Sequence, residues 1–431
     1  MKNNFIIFFL FFLTSCNTSV DISLNAEDLK KNGKTIISNS YLDNELFENK
    51  IAKVNLYPIE KKYDWNYANF NSYFFFKNVE LDNNLFKLRS NKIFSKSKKN
   101  EFKNELVSYK DKIIFIDGIS NLIITDLDLN IVDKLKIHKD IPSSIQIRST
   151  LVAHDGIIYA ADNLGTILAY DINKKQVLWR NFLGVPFLSN ISIYKESIFI
   201  TNSNGKLFSF NLDGKLNWTF ETGTEIIKSF DAYKIVIFKD KLIFSNDLGY
   251  IYCLDLEKSS LLWSYRVPVN FHNSKSELFF LSNLIIEDNF LFLSSSFGNF
   301  IKINIATGQV IWQISLLTNN IAIVNLDTIS ILESNTFFTV IEKKTGNIIY
   351  KKDIKKYFDN QNIKDIIFDS FFVGSDTYYI ISNSGFFIKI YSKDLSMVSQ
   401  KKFSKTLVSN IVINNKKIYF IDSNGSINKF E

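Results

Sequence analysis

The chain reads as an all-β protein, an eight-bladed β-propeller of four-stranded antiparallel blades. Three observations predict it. A unit of short apolar runs and turns recurs along the chain, the strong copies end in tryptophan, and the last copy stops one strand short. Repeats of about 40–50 residues with four strands each mark propeller blades, which bury both sheet faces only by stacking on neighbours.

The clearest copy is DGIIYAADNLGTILAYDINKKQVLW, residues 155–179. Residues 156–160 form one apolar run. Gly165 closes a hairpin, where a positive φ carries no Cβ penalty. Residues 166–170 return, and residues 171–175 turn again through side chains that bond their own backbone. Residues 176–179 form the outer strand, and an inner strand within 144–153 completes the four. Copies at 195–218, 239–263 and 287–312 repeat the hairpin glycine as Gly205, Gly249 and Gly298.

The tryptophans Trp179, Trp218, Trp263 and Trp312 follow their glycines by about fourteen residues, a constant place in the blade. Each ring is expected to dock one blade on the next by filling the wedge beside an outer strand. Weaker copies begin at Asp111, Asp327 and Ser375, and Tyr350 stands near the tryptophan place. The last copy, residues 414–431, ends after its return strand. Residues 85–94, LFKLRSNKIF, are expected to supply the missing outer strand, because an unclosed ring exposes a pairing edge.

Hydrophobic residues make up 46% of the chain and include 41 Phe, enough for a large core. The net charge of +7 is spread among lysines, with no basic block interleaved with aromatics. That distribution fits solvated blade edges and gives no support to a nucleic-acid partner.

The chain opens MKNNFIIFFLFFLTSC. The apolar run at 5–13 is far shorter than the roughly 20 residues of a spanning helix. Residues 1–15 therefore read as a signal peptide. Its end, Leu13-Thr14-Ser15-Cys16, resembles the bacterial lipobox. That resemblance implies acylation of Cys16 and a lipid-anchored protein. Asn17 lacks the inner-membrane signal that Asp gives there, which favours the periplasmic face of the outer membrane. Residues 16–84 are expected to be a largely irregular lipid-anchored tether, and residues 85–431 the ring.

Chemistry is sparse. Cys16 and Cys253 are the two cysteines, and Cys253 reads as a buried, inert thiol. His138, His154 and His272 fall in separate blades or connections. No HxH, HExxH or CxxC spacing, P-loop, GxGxxG or GxSxG occurs. No catalytic residue, metal site or cofactor is expected. Asp162, Asp247 and Asp422 precede hairpin glycines by two or three residues and read as turn chemistry.

The repeat resembles the quinoprotein-type, PQQ-like propeller blade. Leu168-Ala169-Tyr170-Asp171 with Trp179 matches it, as do Cys253-Leu254-Asp255 with Trp263 and Ala306-Thr307-Gly308 with Trp312. With the lipobox and the N-terminal closing strand, the whole resembles the BamB-like family of outer-membrane protein assembly lipoproteins. The resemblance implies a non-catalytic periplasmic scaffold of the β-barrel assembly (BAM) machinery. Its partners would be the POTRA domains of a BamA-like outer-membrane protein and other components of that machinery.

The family's docking run would fall on Glu225-Ile226-Ile227-Lys228. Ile227 keeps the apolar character and Lys228 the charge, while Glu225 stands where leucine is expected. Glu277, on the following loop, is the acidic candidate beside them. Ile226 and Ile227 read equally as the start of the next inner strand. Two other functions share the pattern. One is a lipoprotein propeller that binds another envelope protein or a glycan. The other is a quinone-dependent dehydrogenase, whose vicinal cysteines and inserted acidic cluster this chain lacks.

Overall fold

Eight separate four-stranded antiparallel sheets form from the repeats. The computed structural model describes residues 54–61, 65–68, 75–82, 87–93, 105–139, 141–142, 145–229, 231–269, 278–318, 320–334, 336–355, 366–403 and 406–431. Blades are numbered here in chain order. In blade 2 the strands Ser149–His154, Ile157–Asp162, Thr166–Asp171 and Gln176–Phe182 pair in sequence order, from inner to outer. The two middle strands are almost wholly buried, and the outer strand alternates between exposed and half-buried. This is the pattern of sheets covered on both faces and wetted only at their outer edge. Trp179 does not end its strand, which runs on through Phe182.

Blade 8 is composite. Val412–Asn414, Lys417–Ile421 and Ser426–Phe430 take Leu88–Lys92 as their outer strand, with Leu88 opposite Phe430 and Lys92 opposite Ser426. The expected strand over 85–94 is thus narrower, and residues 85, 86 and 94 lie outside the described residues. Lys87 and Glu431 exchange backbone hydrogen bonds at 3.0 Å, and the Arg89 guanidinium lies 3.2 Å from the Glu431 carboxylate. Inner strands of blades 1 and 2, 3 and 4, and 4 and 5 touch, and so do those of blades 8 and 1, where the circle closes.

The register of the third and outer strands shifts once in seven blades, at Ile124/Thr125, Ala169/Tyr170, Ser209/Phe210, Cys253/Leu254, Lys302/Ile303, Val340/Ile341 and Lys389/Ile390. A bulge at one fixed place increases local twist and re-aims the side chains that follow.

Residues 54–82, placed before the ring by sequence, are packed on it wherever they are described. The Trp65 carbonyl accepts from Ser108 at 2.8 Å and that of Asn66 from Ala153 at 3.0 Å, on the inner strands of blades 1 and 2. Asn55 accepts from Leu326 of blade 6, Val79 from Ser375 of blade 7, and Asp82 donates to Lys416 of blade 8. Ser108 and Ala153 lie on inner strands, and Leu326, Ser375 and Lys416 in the turns that follow them, so these bonds satisfy backbone groups along the inner edge of the blades. Trp65 is 1% exposed and Val79 0%, and both join the core of Leu106, Phe372 and Tyr419.

Candidate docking loop

Hairpin turns and blade-to-blade connections share one face of the ring. Each connection begins by bonding the hairpin of its own blade. The amide of Leu183 donates to Gly165, that of Thr222 to Gly205, and that of Val267 to Gly249. From blade 2 onward each hairpin then bonds the connection arriving from the preceding blade. Two positions in the turn divide these tasks.

The residue three before the left-handed position caps the turn itself. Asp162, Asn202, Asn246 and Asp422 each accept the amide four residues ahead. The residue two before it faces the incoming connection. Asn163 bonds Gln146 and Arg148, Ser203 bonds Pro186, Ser296 bonds Leu278 and Phe280, and Asn383 bonds Ile367. In blades 6 and 8 this position is Ser334 and Ser423, bonding Leu317 and Thr406 through the backbone, whereas Gly118 of blade 1 bonds Ile147 on the connection leaving its own blade.

Blade 4 alone puts an ionisable side chain there, Asp247. Its carboxylate accepts the Thr224 hydroxyl at 2.9 Å and the Glu225 amide at 3.1 Å, with the Lys228 ammonium 3.9 Å away. Asp162 and Asp422 are turn residues, as expected. Asp247 has a different task, and its sequence place, one residue later, is the signal that separates it.

The connection that Asp247 holds carries the expected docking run. Ile226 is 95% exposed and Ile227 68%, and the next inner strand starts only at Ile235. Neither isoleucine begins that strand. Lys228 folds back under the tip, donating to the Thr224 hydroxyl and the Glu225 carbonyl. The root is fixed as well, because Asp231 accepts from the Arg148 guanidinium at 2.6 Å. Two exposed isoleucines thus stand side by side on a connection bonded from beneath. Phe182, 69% exposed, ends the outer strand of blade 2, just before the connection to blade 3. Glu277, His272 and Cys16 lie outside the described residues.

Three tryptophans donate to the following blade. Trp179 Nε1 bonds the Leu212 carbonyl at 2.8 Å, Trp263 Nε1 that of Ile305 at 2.8 Å, and Trp312 Nε1 that of Lys343 at 3.1 Å. Trp218 packs on Phe199 with ring centroids 5.8 Å apart. Cys253 is fully buried, and burial pushes its thiol up to about 12. His138 bonds the Asp162 carboxylate at 2.6 Å, and His154 lies near Asp155. Among the described residues no group of three or more His, Cys, Asp or Glu could hold a metal ion, and no helix is long and apolar enough to cross a membrane.

An eight-bladed ring of glycine-hairpin repeats, four of them with a tryptophan in the outer strand, defines the PQQ-like propeller class. Within that class, the chain belongs to the family of outer membrane protein assembly factor BamB, whose model matches residues 135–352 and 231–430.

Among similar proteins, BamB of Yersinia pestis is 19% identical over 214 residues, covering 48% of this chain and 54% of the relative. An uncharacterised protein of Rickettsia conorii is 20% identical over 237 residues, covering 52% and 56%. The chain therefore spans about half the length of the curated relatives it matches. BamB from Moraxella catarrhalis superposes with a TM-score of 0.62 at 12% identity, over 79% of this chain and 99% of that one. Quinohemoprotein alcohol dehydrogenase from Pseudomonas putida HK5 gives 0.60 at 9% identity, over 85% and 80%. At these identities the structural likenesses show the fold alone.

Proposed function

We propose that this chain is a non-catalytic scaffold of the outer-membrane β-barrel assembly machinery, docking through the tip Ile226-Ile227-Lys228 on the POTRA domains of a BamA-like protein. In this reading it assists the folding and insertion of outer-membrane proteins beside other components of the machinery. Acyl chains on Cys16 hold it at the periplasmic face of the outer membrane. Family membership supports the setting. The observation that carries the docking site is the exposure of Ile226 and Ile227 on a loop bonded from beneath. Exposed apolar residues beside a cation make a compact hot spot, where truncating one residue often costs about 2 kcal/mol or more.

The test is co-purification of the BamA-like protein with the variant Ile227→Ala/Lys228→Glu, alongside a circular-dichroism melt. Loss of the partner with an unchanged melt supports the reading. Full recovery of the partner overturns this docking site.

A further inference from the structure

We propose that Asp247 is the positioning residue of the docking loop, holding the Ile226–Ile227 tip in its binding shape before any partner arrives; this rests on the docking reading above. Two adjacent isoleucines left in water would be driven to fold onto the ring. Bonds from below oppose that collapse. The Asp247 side chain is 1% exposed, yet it belongs to the neighbouring blade's hairpin rather than to the loop it holds. A carboxylate so deeply placed is retained only when it is well bonded. Here its oxygens take the Thr224 hydroxyl and the Glu225 amide, the two groups immediately before the tip.

Further contacts make the hold rigid. Thr224 also lies 3.1 Å from the Tyr233 hydroxyl, on the far side of the loop. Lys228, immediately after the tip, bonds Thr224 and the Glu225 carbonyl and lies 3.9 Å from Asp247. The loop is thus tied on both sides of Ile226-Ile227 to one buried anion. Asn246 adds a bond from its side-chain amide to the Gly223 carbonyl at 3.0 Å. At the corresponding hairpin position the other seven blades place Gly, Ser or Asn, and among the described residues none of these ties down both sides of an exposed apolar pair in this way. A tip already ordered loses little conformational freedom on binding, so removing its anchor weakens affinity without removing a contact.

The experiment uses the full ring and a soluble POTRA-domain fragment of the BamA-like protein from the same organism. Affinity is read by calorimetric titration, and amide exchange is read on the free protein. Asp247→Asn and Thr224→Val are each expected to weaken binding by at least about fivefold, and to speed exchange of the Glu225 amide before partner is added. In an Ile227→Ala background, adding Asp247→Asn is expected to cost less than it does alone, because both act through one tip.

Unchanged affinity, unchanged exchange at Glu225, or full additivity overturns the inference. Wild-type protein that does not bind the fragment overturns the docking reading instead. If Asp247→Asn fails to fold, Thr224→Val carries the same test, since it removes one bond to the carboxylate and leaves the charge in place.

Discussion

The indole of Trp179 in blade 2 lies flat against Gly214 in blade 3. Its Nε1 donates to Leu212 at 2.8 Å, and a Cβ built on Gly214 would stand 2.6 Å from the ring. The same pairing recurs as Trp263 with Gly308 and Trp312 with Gly346, at 2.7 and 2.9 Å. Tryptophan and glycine are therefore two halves of one joint between consecutive blades. The glycine has φ of +81°, so it meets both a conformational and a spatial demand.

Gly214→Ala should destabilise the ring by about 2 kcal/mol or more, combining left-handed strain with overpacking against the indole. Gly184→Ala is the control. Its φ is +66°, but its nearest contact would be an ordinary 3.7 Å to Phe182, so only the strain of about 1 kcal/mol remains. Urea unfolding of both variants checks the difference.

Chains starting at Val54, Lys87 and Lys96 should unfold at successively lower midpoints. The second loses Trp65, Phe76, Val79 and Leu81 from the core, and the third also loses the closing strand Leu88–Lys92. Trp65→Ala alone should cost about 3–5 kcal/mol. Equal midpoints for the first two chains would show that residues 54–82 add nothing to the ring.

Stability should fall steeply in alkali. Burial raises the phenols of Tyr159, Tyr265 and Tyr379 to about 12, as it does the Cys253 thiol. Unfolded, these groups titrate near 10 and about 8.5. The folded chain holds these protons more tightly, so the stability they lend is fully present below the unfolded values and is lost as pH rises toward 12. Phenolate absorbance followed against pH should rise together with loss of β-sheet signal. Cys253 should resist thiol reagents until the chain unfolds.

Cys16→Ser should release the protein from membranes into the soluble periplasmic fraction. Retention of the variant after a salt wash would place the anchor elsewhere.

The blade unit and its closure are legible in the chain itself. Strand alternation, the hairpin residue Gly165 and the outer-strand Trp179 are local, since each depends on neighbours within a few residues or one turn. The closing strand could be read because the last repeat visibly lacks its fourth strand. The candidate docking loop is only half legible. Glu225-Ile226-Ile227-Lys228 reads as loop tip or strand start with equal ease, because an apolar pair carries no mark of which side it will face.

What the sequence by itself determined was the repeat, the number of blades, the way the circle closes and the blade position of Trp179, Trp218, Trp263 and Trp312, all written in short-range pattern. What only the tertiary structure decided depends on groups far apart in the chain. Residues 54–82 carry no period of their own: their backbone bonds reach several blades, and the one pairing within the segment, Glu60 with Val79, joins residues far apart in it. Asp247 sits beside a hairpin glycine like Asp162, yet its partners are Thr224 and Glu225, more than twenty residues earlier on another blade's connection. A carboxylate's role follows from the donors that folding brings to it, and those donors are assembled only when the blades stack.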